Sequence, residues 1–276
     1  MNKLVLLIIV ILIFLIITEN PKKCYEKFIQ KEYIRFTGDL GKFGLSHHKS
    51  NLKYLILKSK QLNKILIMPK FVLTKKHNNN NEITCNLSKY FDIKNIKLNG
   101  EKIEIVYENE LNEENIYEYK LPISSKYRTI HNNKEFKLNG NLEINYSREI
   151  IYLGKKISKD LGNYCCVHVR RTDRNNSKID KFTRPENILK KLKYVNSPKN
   201  VYIMTDEKEE GFFDEIKNYY NLKLCRNIKE LKNIKDNYYI FCIEKIIMNN
   251  ASKKISNFKT KGETYDTYLI NKNGWQ

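Results

Sequence analysis

The chain is short of acidic residues. Against 51 Lys and Arg stand 31 Asp and Glu, a formal net charge of +20 over 276 residues. An excess of this size is compatible with nucleic acid or an anionic membrane as partner. Yet no recognised nucleic-acid-binding motif occurs. The lysines are spread along the whole chain among abundant Asn and Ile, which is a drift of composition. No nucleic-acid partner is expected. Metal-ligand spacing is lacking as well. The cysteines at 24, 85, 165, 166, 225 and 242 do not fall at zinc-site intervals, and the adjacent His47 and His48 do not share a helix face. No metal is expected.

A leader-peptidase site is also missing. Residues 4–18 form a nearly unbroken apolar run, preceded by Lys3 and followed by Lys22 and Lys23. A spanning helix needs ~17–20 residues, which 1–18 just reaches. A cleaved signal would end in a small-x-small site, and Ile16-Ile17-Thr18-Glu19-Asn20-Pro21 offers none. We expect residues 1–20 to be an uncleaved signal anchor. The chain would then be a single-pass type II membrane protein with a lumenal catalytic part, in the endoplasmic reticulum or Golgi. A lumenal location permits disulfides, whose pairing the sequence does not settle. Cys165 and Cys166 are adjacent on an expected strand, so their side chains face opposite ways, and two small buried apolar residues is the other reading of them.

What is present is enough for a packed core: 41 % hydrophobic and 12 % aromatic residues, in a length that suits two small α/β domains or one large one. Residues 33–36 read as a strand, Gly38, Gly41 and Gly44 as a turn-rich loop, and 50–63 as a helix with Leu52, Leu55, Ile56 and Leu62 at helical spacing. Residues 65–68 are a short apolar strand closed by Pro69. Strand–helix–strand implies a parallel pair. Residues 77–81 are a polar loop, and 94–148 are irregular, without an assignable topology. From Tyr164 the pattern is regular. A strand at 164–169 precedes a helix opened by Pro185, whose missing N–H costs nothing at the first helical position. Ile188, Leu189, Leu192 and Val195 continue it. Then come a strand at 201–204, a helix carrying Phe212, Phe213, Ile216 and Tyr219 or Tyr220, a strand at 222–224, a helix at 238–249 and a last strand at 254–258. Alternating strand and helix is the doubly wound signature. The expected fold class is α/β.

The most informative stretch is Cys166-Val167-His168-Val169-Arg170-Arg171-Thr172-Asp173-Arg174. An apolar strand runs straight into fixed cations, which places them at the carboxyl edge of a sheet, where open α/β sheets bind ligands. The guanidinium is a planar fork that matches phosphate oxygens two at a time. These residues alone read as a site for a phosphorylated ligand, or as a strand ending in solvated charge.

His168-x-Arg170-Arg171-x-Asp173 after an apolar strand resembles the signature of fucosyltransferases that use GDP-fucose. That group holds the α-1,6-fucosyltransferases, the bacterial nodulation enzymes and the protein O-fucosyltransferases. Further elements agree in order, from about residue 35 to about residue 260. Gly44-Leu45-Ser46-His47-His48-Lys49, leading to Leu62-Asn63-Lys64-Ile65-Leu66-Ile67-Met68-Pro69, resembles the O-fucosyltransferase start with its "LNRTLVLPP" strand. Ser88-Lys89-Tyr90-Phe91-Asp92-Ile93 resembles the "YFD" element, and Val201-Tyr202-Ile203-Met204-Thr205-Asp206-Glu207 the "VYLATDD" strand end.

The resemblance implies the GT-B architecture: two Rossmann-like domains, here 21–150 and 151–276, after the signal anchor. It implies inverting, metal-independent transfer of fucose from GDP-fucose to a protein or glycan hydroxyl, with no cofactor beyond the donor and with membrane contact through the N-terminal segment. Negative charge grows on the leaving β-phosphate, and a fixed guanidinium stabilises it. By the family's pattern that guanidinium is Arg170. Arg171 supports it or holds the local fold, His168 contacts the guanine or an adjacent group, and Asp173 anchors the arginines or the loop. Counting back from Pro185 places the general base of the α-1,6 enzymes on Asp180, whose other reading is a surface acid in a Lys-rich loop. Asp206 and Glu207 match an acidic pair around the site, or are acids favoured at a helix N-terminus. Gly44, His48 and Lys49 belong to the donor-binding start, with Lys49 facing the diphosphate. Near the C-terminus the pattern departs. Ser252 stands where the family has the Asp that reads guanine, and Lys259 and Thr260 stand for its phosphate-holding serines. That departure motivates the alternative of a non-catalytic or differently specific homologue that binds a nucleotide sugar or glycan. Asn-x-Ser sequons at Asn86, Asn145, Asn175 and Asn250 are expected by chance in an Asn-rich chain.

Overall fold

In the computed structural model the described residues are 31–111, 115–121, 141–171, 180 and 182–256. The expected anchor at 1–20, Asp173, Lys259 and Thr260 lie outside them. Strands β1 (Tyr33–Thr37), β2 (Lys42–Phe43), β3 (Ile65–Ile67), β4 (Phe71–Leu73), β5 (Ile83–Cys85), β6 (Lys97–Leu98), β7 (Glu101–Lys102), β8 (Ile105–Val106), β9 (Ile116–Lys120), β10 (Leu142–Glu143), β11 (Tyr164–Val169), β12 (Asn200–Thr205), β13 (Asn221–Leu224) and β14 (Lys253–Ser256) accompany helices α1 (Leu45–Gln61), α2 (Arg148–Leu161), α3 (Pro185–Tyr194), α4 (Asp214–Lys217) and α5 (Asn237–Asn250). The fold is α/β. Among the described residues no helix is long and apolar enough to cross a membrane.

The chain divides into two units. The first takes residues up to Gly41, Ser46–Lys70 and Leu98–Leu142; the second takes Lys42–Leu45, Phe71–Lys97 and the chain from Glu143 on. The 150/151 boundary expected from the sequence thus falls inside the second unit. In the first unit, β1 pairs in parallel with β3 (Tyr33 opposite Ile65) and with β9, and β3 with β8, giving the order β8-β3-β1-β9. The β1–β3 pair is the one that the strand–helix–strand pattern implies. Ile34, Leu52, Leu55, Ile56 and Leu66 are fully buried and form the core. Helix α1 begins at Leu45, five positions before the expected start at residue 50. Its buried stripe runs back through His48, which is 0 % exposed, and Leu45, so a polar residue fills an apolar slot there. Gly38 takes φ +112° in the turn after β1, a conformation that only glycine adopts without strain.

The second unit is built on the all-parallel sheet β13-β12-β11-β14. Period-two alternation along β11 and β12 sends successive side chains to opposite faces. Cys165, Val167, Val169, Val201 and Ile203 form one core with Ile188, Leu189 and Leu192 of α3 and with Phe213 and Ile216 around α4. Tyr164, Cys166, His168 and Tyr202 therefore face the other side, which α5 covers. There the Tyr164 hydroxyl donates to the Ile247 carbonyl at 2.5 Å, and the Tyr202 hydroxyl to Glu244 Oε1 at 2.8 Å. Helix α2, for which no expectation existed, packs on α5. A Cβ at Gly154 would lie 2.5 Å from Ile246 Cβ, so only glycine allows the two helices to come so close.

The excursion 71–97 joins this unit because its β4–β5 hairpin and the loop after it are tied to the start of α5. Asp236 caps α5 by accepting from the Tyr238 and Tyr239 amides, and it also accepts from Tyr90 Oη at 2.9 Å and Lys89 Nζ at 2.6 Å. Asn78 Oδ1 accepts from the Asn237 amide, and Tyr238 Oη donates to the Thr74 carbonyl.

Candidate functional site

The order β13-β12-β11-β14 reverses direction at β11. Strands β12 and β13 are laid down on one side of it, and β14 returns to the other. In open parallel sheets ligands bind at the carboxyl edge where the order reverses. Here that edge lies between the ends of β11 and β14, where His168 is in register with Ser256. His168, Arg170 and Arg171 stand at this edge, as the sequence led us to expect.

Both arginines follow directly on the end of β11. Arg171 turns to the α3–α4 side and is committed to protein groups. Its Nε donates to Glu207 Oε2 at 2.8 Å, Nη2 to Asp180 Oδ1 at 2.8 Å and Nη1 to Thr183 Oγ1 at 2.7 Å. Its backbone amide donates to Asp206 Oδ1 at 2.7 Å, and its guanidinium carbon lies 4.2 Å from the centroid of Phe212. Arg171 thereby laces the loop after β11 to the loop after β12. Glu207 is itself fixed, since its Oε1 accepts from the amides of Lys208 and Glu209. Asp206 and Glu207, expected around the site, are thus brought to it as Arg171's partners.

His168 lies on the α5 side. Burial, followed by the positive charges of Lys245 and Arg170, pushes the His168 imidazole down to about 4, with Asp206 opposing. His168 is therefore neutral at pH 7. Asp180 is held below the ordinary carboxylate range by its hydrogen bonds to Arg184 and Arg171. A carboxylate so paired has little appetite for a proton, which favours a structural role over that of general base.

Other expected residues lie elsewhere. Ser252 precedes β14 and bonds to Asn163 Oδ1 at 2.7 Å and to the Tyr164 carbonyl at 2.8 Å, at the amino edge of the sheet. With β11 running from Tyr164 to Val169 between them, Ser252 and Arg170 stand at opposite ends of the strand. Gly44 lies beside the His77 ring, 3.7 Å from where a Cβ would sit. His48 and Lys49 occupy the first turns of α1 in the first unit, His48 fully buried and Lys49 half-buried. Cys85, Cys165, Cys166, Cys225 and Cys242 are free thiols. Cys165 and Cys166 point to opposite faces of β11, and burial raises the Cys165 and Cys225 thiols to about 12, which keeps both protonated and non-nucleophilic at neutral pH. Among the described residues no group of three His, Cys, Asp or Glu side chains is placed to hold a metal ion.

Two residues near the site escaped the sequence reading: Glu244 and Lys245. Their signal was there, for they are the two charged residues of an otherwise apolar and amide-bearing helix. Glu244 is buried, and its carboxyl is raised to about 8 by desolvation, against the pull of its bond from Tyr202. No family model, no curated protein and no solved structure matches this chain.

Proposed function

We propose that the chain is a metal-independent, inverting glycosyltransferase of the GT-B type, using a nucleotide-diphosphate sugar with GDP-fucose as the leading donor and a protein or glycan hydroxyl as acceptor. The membrane anchor at 1–20 and the lumenal setting belong to the same proposal. The observation that carries it is the pair of arginines at the carboxyl edge of the second sheet. Arg170 follows the neutral His168 past the end of β11, where the strand order reverses, and Arg171 is fixed beside it by Glu207 and Asp180. A guanidinium held there is preorganised for charge developing on a leaving phosphate. The two units, each with a parallel sheet, are what a GT-B enzyme requires. The ordered likeness of residues 35–260 to the GDP-fucose enzymes supplies the donor.

A panel of nucleotide sugars in a hydrolysis assay, run on wild type and Arg170→Ala, tests this reading. GDP-fucose should be turned over, and Arg170→Ala should lower turnover about 10²-fold or more, the effect of removing one preorganised donor to a developing charge. Wild-type rates in the variant would refute the site. The second reading, a nucleotide-sugar-binding protein without catalysis, is favoured by the pairing of Asp180 with Arg171 and Arg184, which leaves the expected base engaged. It predicts binding of GDP or GDP-fucose with no turnover of any donor in the panel.

A further inference from the structure

The Asn-x-Ser sequons at Asn86, Asn145 and Asn250 fall within the described residues, and the fold treats them differently. Such a triplet can carry an N-linked glycan only where the sugar stands clear of the surface. Asn86 is half-buried in an Asx turn, its Oδ1 accepting from the Ser88 amide at 3.1 Å and from Ser88 Oγ at 2.6 Å, and Leu87 between them is fully buried. At Asn250 the atom that would hold the sugar, Nδ2, donates to Ser158 Oγ at 3.4 Å, and Ser252 is spent on Asn163 and the Tyr164 carbonyl.

The triplet Asn145-Tyr146-Ser147 joins β10 to α2 and is seated by its backbone and one ring. The Asn145 carbonyl accepts from the Asp92 amide at 3.0 Å, the Ser147 amide donates to the Tyr90 carbonyl at 2.9 Å, and the Tyr146 ring stacks on Phe91 with centroids 5.6 Å apart. This seat uses neither the Asn nor the Ser side chain. Asn145 is exposed, and among the described residues its side-chain amide has no hydrogen-bond partner. Ser147 stands at the N-cap of α2, where a serine ordinarily accepts from an amide of the first turn, yet it makes no such bond. Its Oγ is buried without a partner. An idle buried hydroxyl costs stability instead of adding it. The fold therefore has no use for the hydroxyl, whereas a sequon requires it before folding.

We infer that Asn145 is a site of N-linked glycosylation, modified as the chain enters the lumen and before Ser147 is buried. The inference rests on the proposed lumenal setting. Asn145 Nδ2 gives up a proton and bonds to the anomeric carbon of an oligosaccharide, and that carbon's bond to a polyprenyl diphosphate carrier breaks, the carrier leaving with the electron pair. Translation of the full chain with endoplasmic-reticulum microsomes tests it. Protease added outside the sealed vesicles reads topology. Peptide mass spectrometry after enzymatic deglycosylation reads the site, because removal leaves Asp where a sugar was attached. Asp should appear at position 145. Asn145→Gln and Ser147→Ala should each lose that glycan, and Ser147→Thr should keep it. Ser147→Ala should have a urea midpoint no lower than that of deglycosylated wild type, which separates loss of the acceptor from a folding defect. A protease-protected chain with Asn145 unmodified overturns the inference and leaves the lumenal setting standing. A chain digested from outside the vesicles removes both.

Discussion

Just past Val169, the last core residue of β11, Arg171 is held on the α3–α4 face by Glu207, Asp180 and Thr183. Exchanging it for lysine tests that hold. An ammonium cannot reach Glu207, Asp180 and Thr183 together, nor stack flat on Phe212. Arg171→Lys should therefore lower stability by about 1–3 kcal/mol, as expected for opening a half-buried network whose carboxylate partner Glu207 remains. A urea midpoint in Arg171→Lys equal to that of wild type would contradict this network. The motif was legible in the sequence as chemistry, since the types and order of its residues announce a cationic strand end. That protein groups hold Arg171 was not, because that depends on Asp180, Glu207 and Phe212, brought near by folding.

Among the elements, those carried by short apolar runs were read well: β1, β3, β11, β12 and the Pro185 start of α3 all stand where the pattern puts them. The misses have physical reasons. Helix α1 starts early because buried His48 occupies a core position that a hydrophobicity pattern counts as polar. The helix expected around Phe212 shrinks to Asp214–Lys217, since Gly211 at φ +83° makes the turn before it. Helix α2 went unread although Ile150, Gly154, Ile157 and Leu161 mark a buried stripe at helical spacing, in which the glycine looks like a gap. That gap is where α5 crosses. Alanine in place of a helical glycine ordinarily stabilises, but at Gly154 the new methyl would meet Ile246 Cβ at 2.5 Å and the Ile243 carbonyl at 3.2 Å. Gly154→Ala should cost about 1–3 kcal/mol, the scale of overpacking, and a calorimetric scan showing a raised melting temperature would contradict the close crossing.

At the scale of the whole molecule, the boundary between units was hidden because it is not a point in the sequence. Residues 71–97 join the second unit through Asp236, 147 positions from Lys89, and no local pattern records such a contact. The dependence of stability on pH is also a property of the whole, for it is set by two buried groups of opposite sense. His168 falls from an ordinary 6.5 to about 4, so the folded state binds fewer protons than the unfolded one between those values, and stability is lost as pH falls through that range. Glu244 rises from 4.5 to about 8, so the folded state binds more, and stability is lost as pH climbs through that range. Between pH 4.5 and 6.5 the two slopes oppose each other, and the unfolding free energy should be nearly flat. Above 6.5 His168 is neutral in both states and Glu244 acts alone. Stability should then decline by about 1.4 kcal/mol per pH unit, roughly 2 kcal/mol in all by pH 8. Glu244→Gln keeps an acceptor for Tyr202 and cannot ionise. In that variant stability should rise from pH 4 to 6.5 and then stay level. Urea midpoints across pH 4–8 for wild type and Glu244→Gln read both curves, and a wild-type curve level from 6.5 to 8, or a variant that still declines there, would show that the Glu244 proton is not what couples this fold to pH.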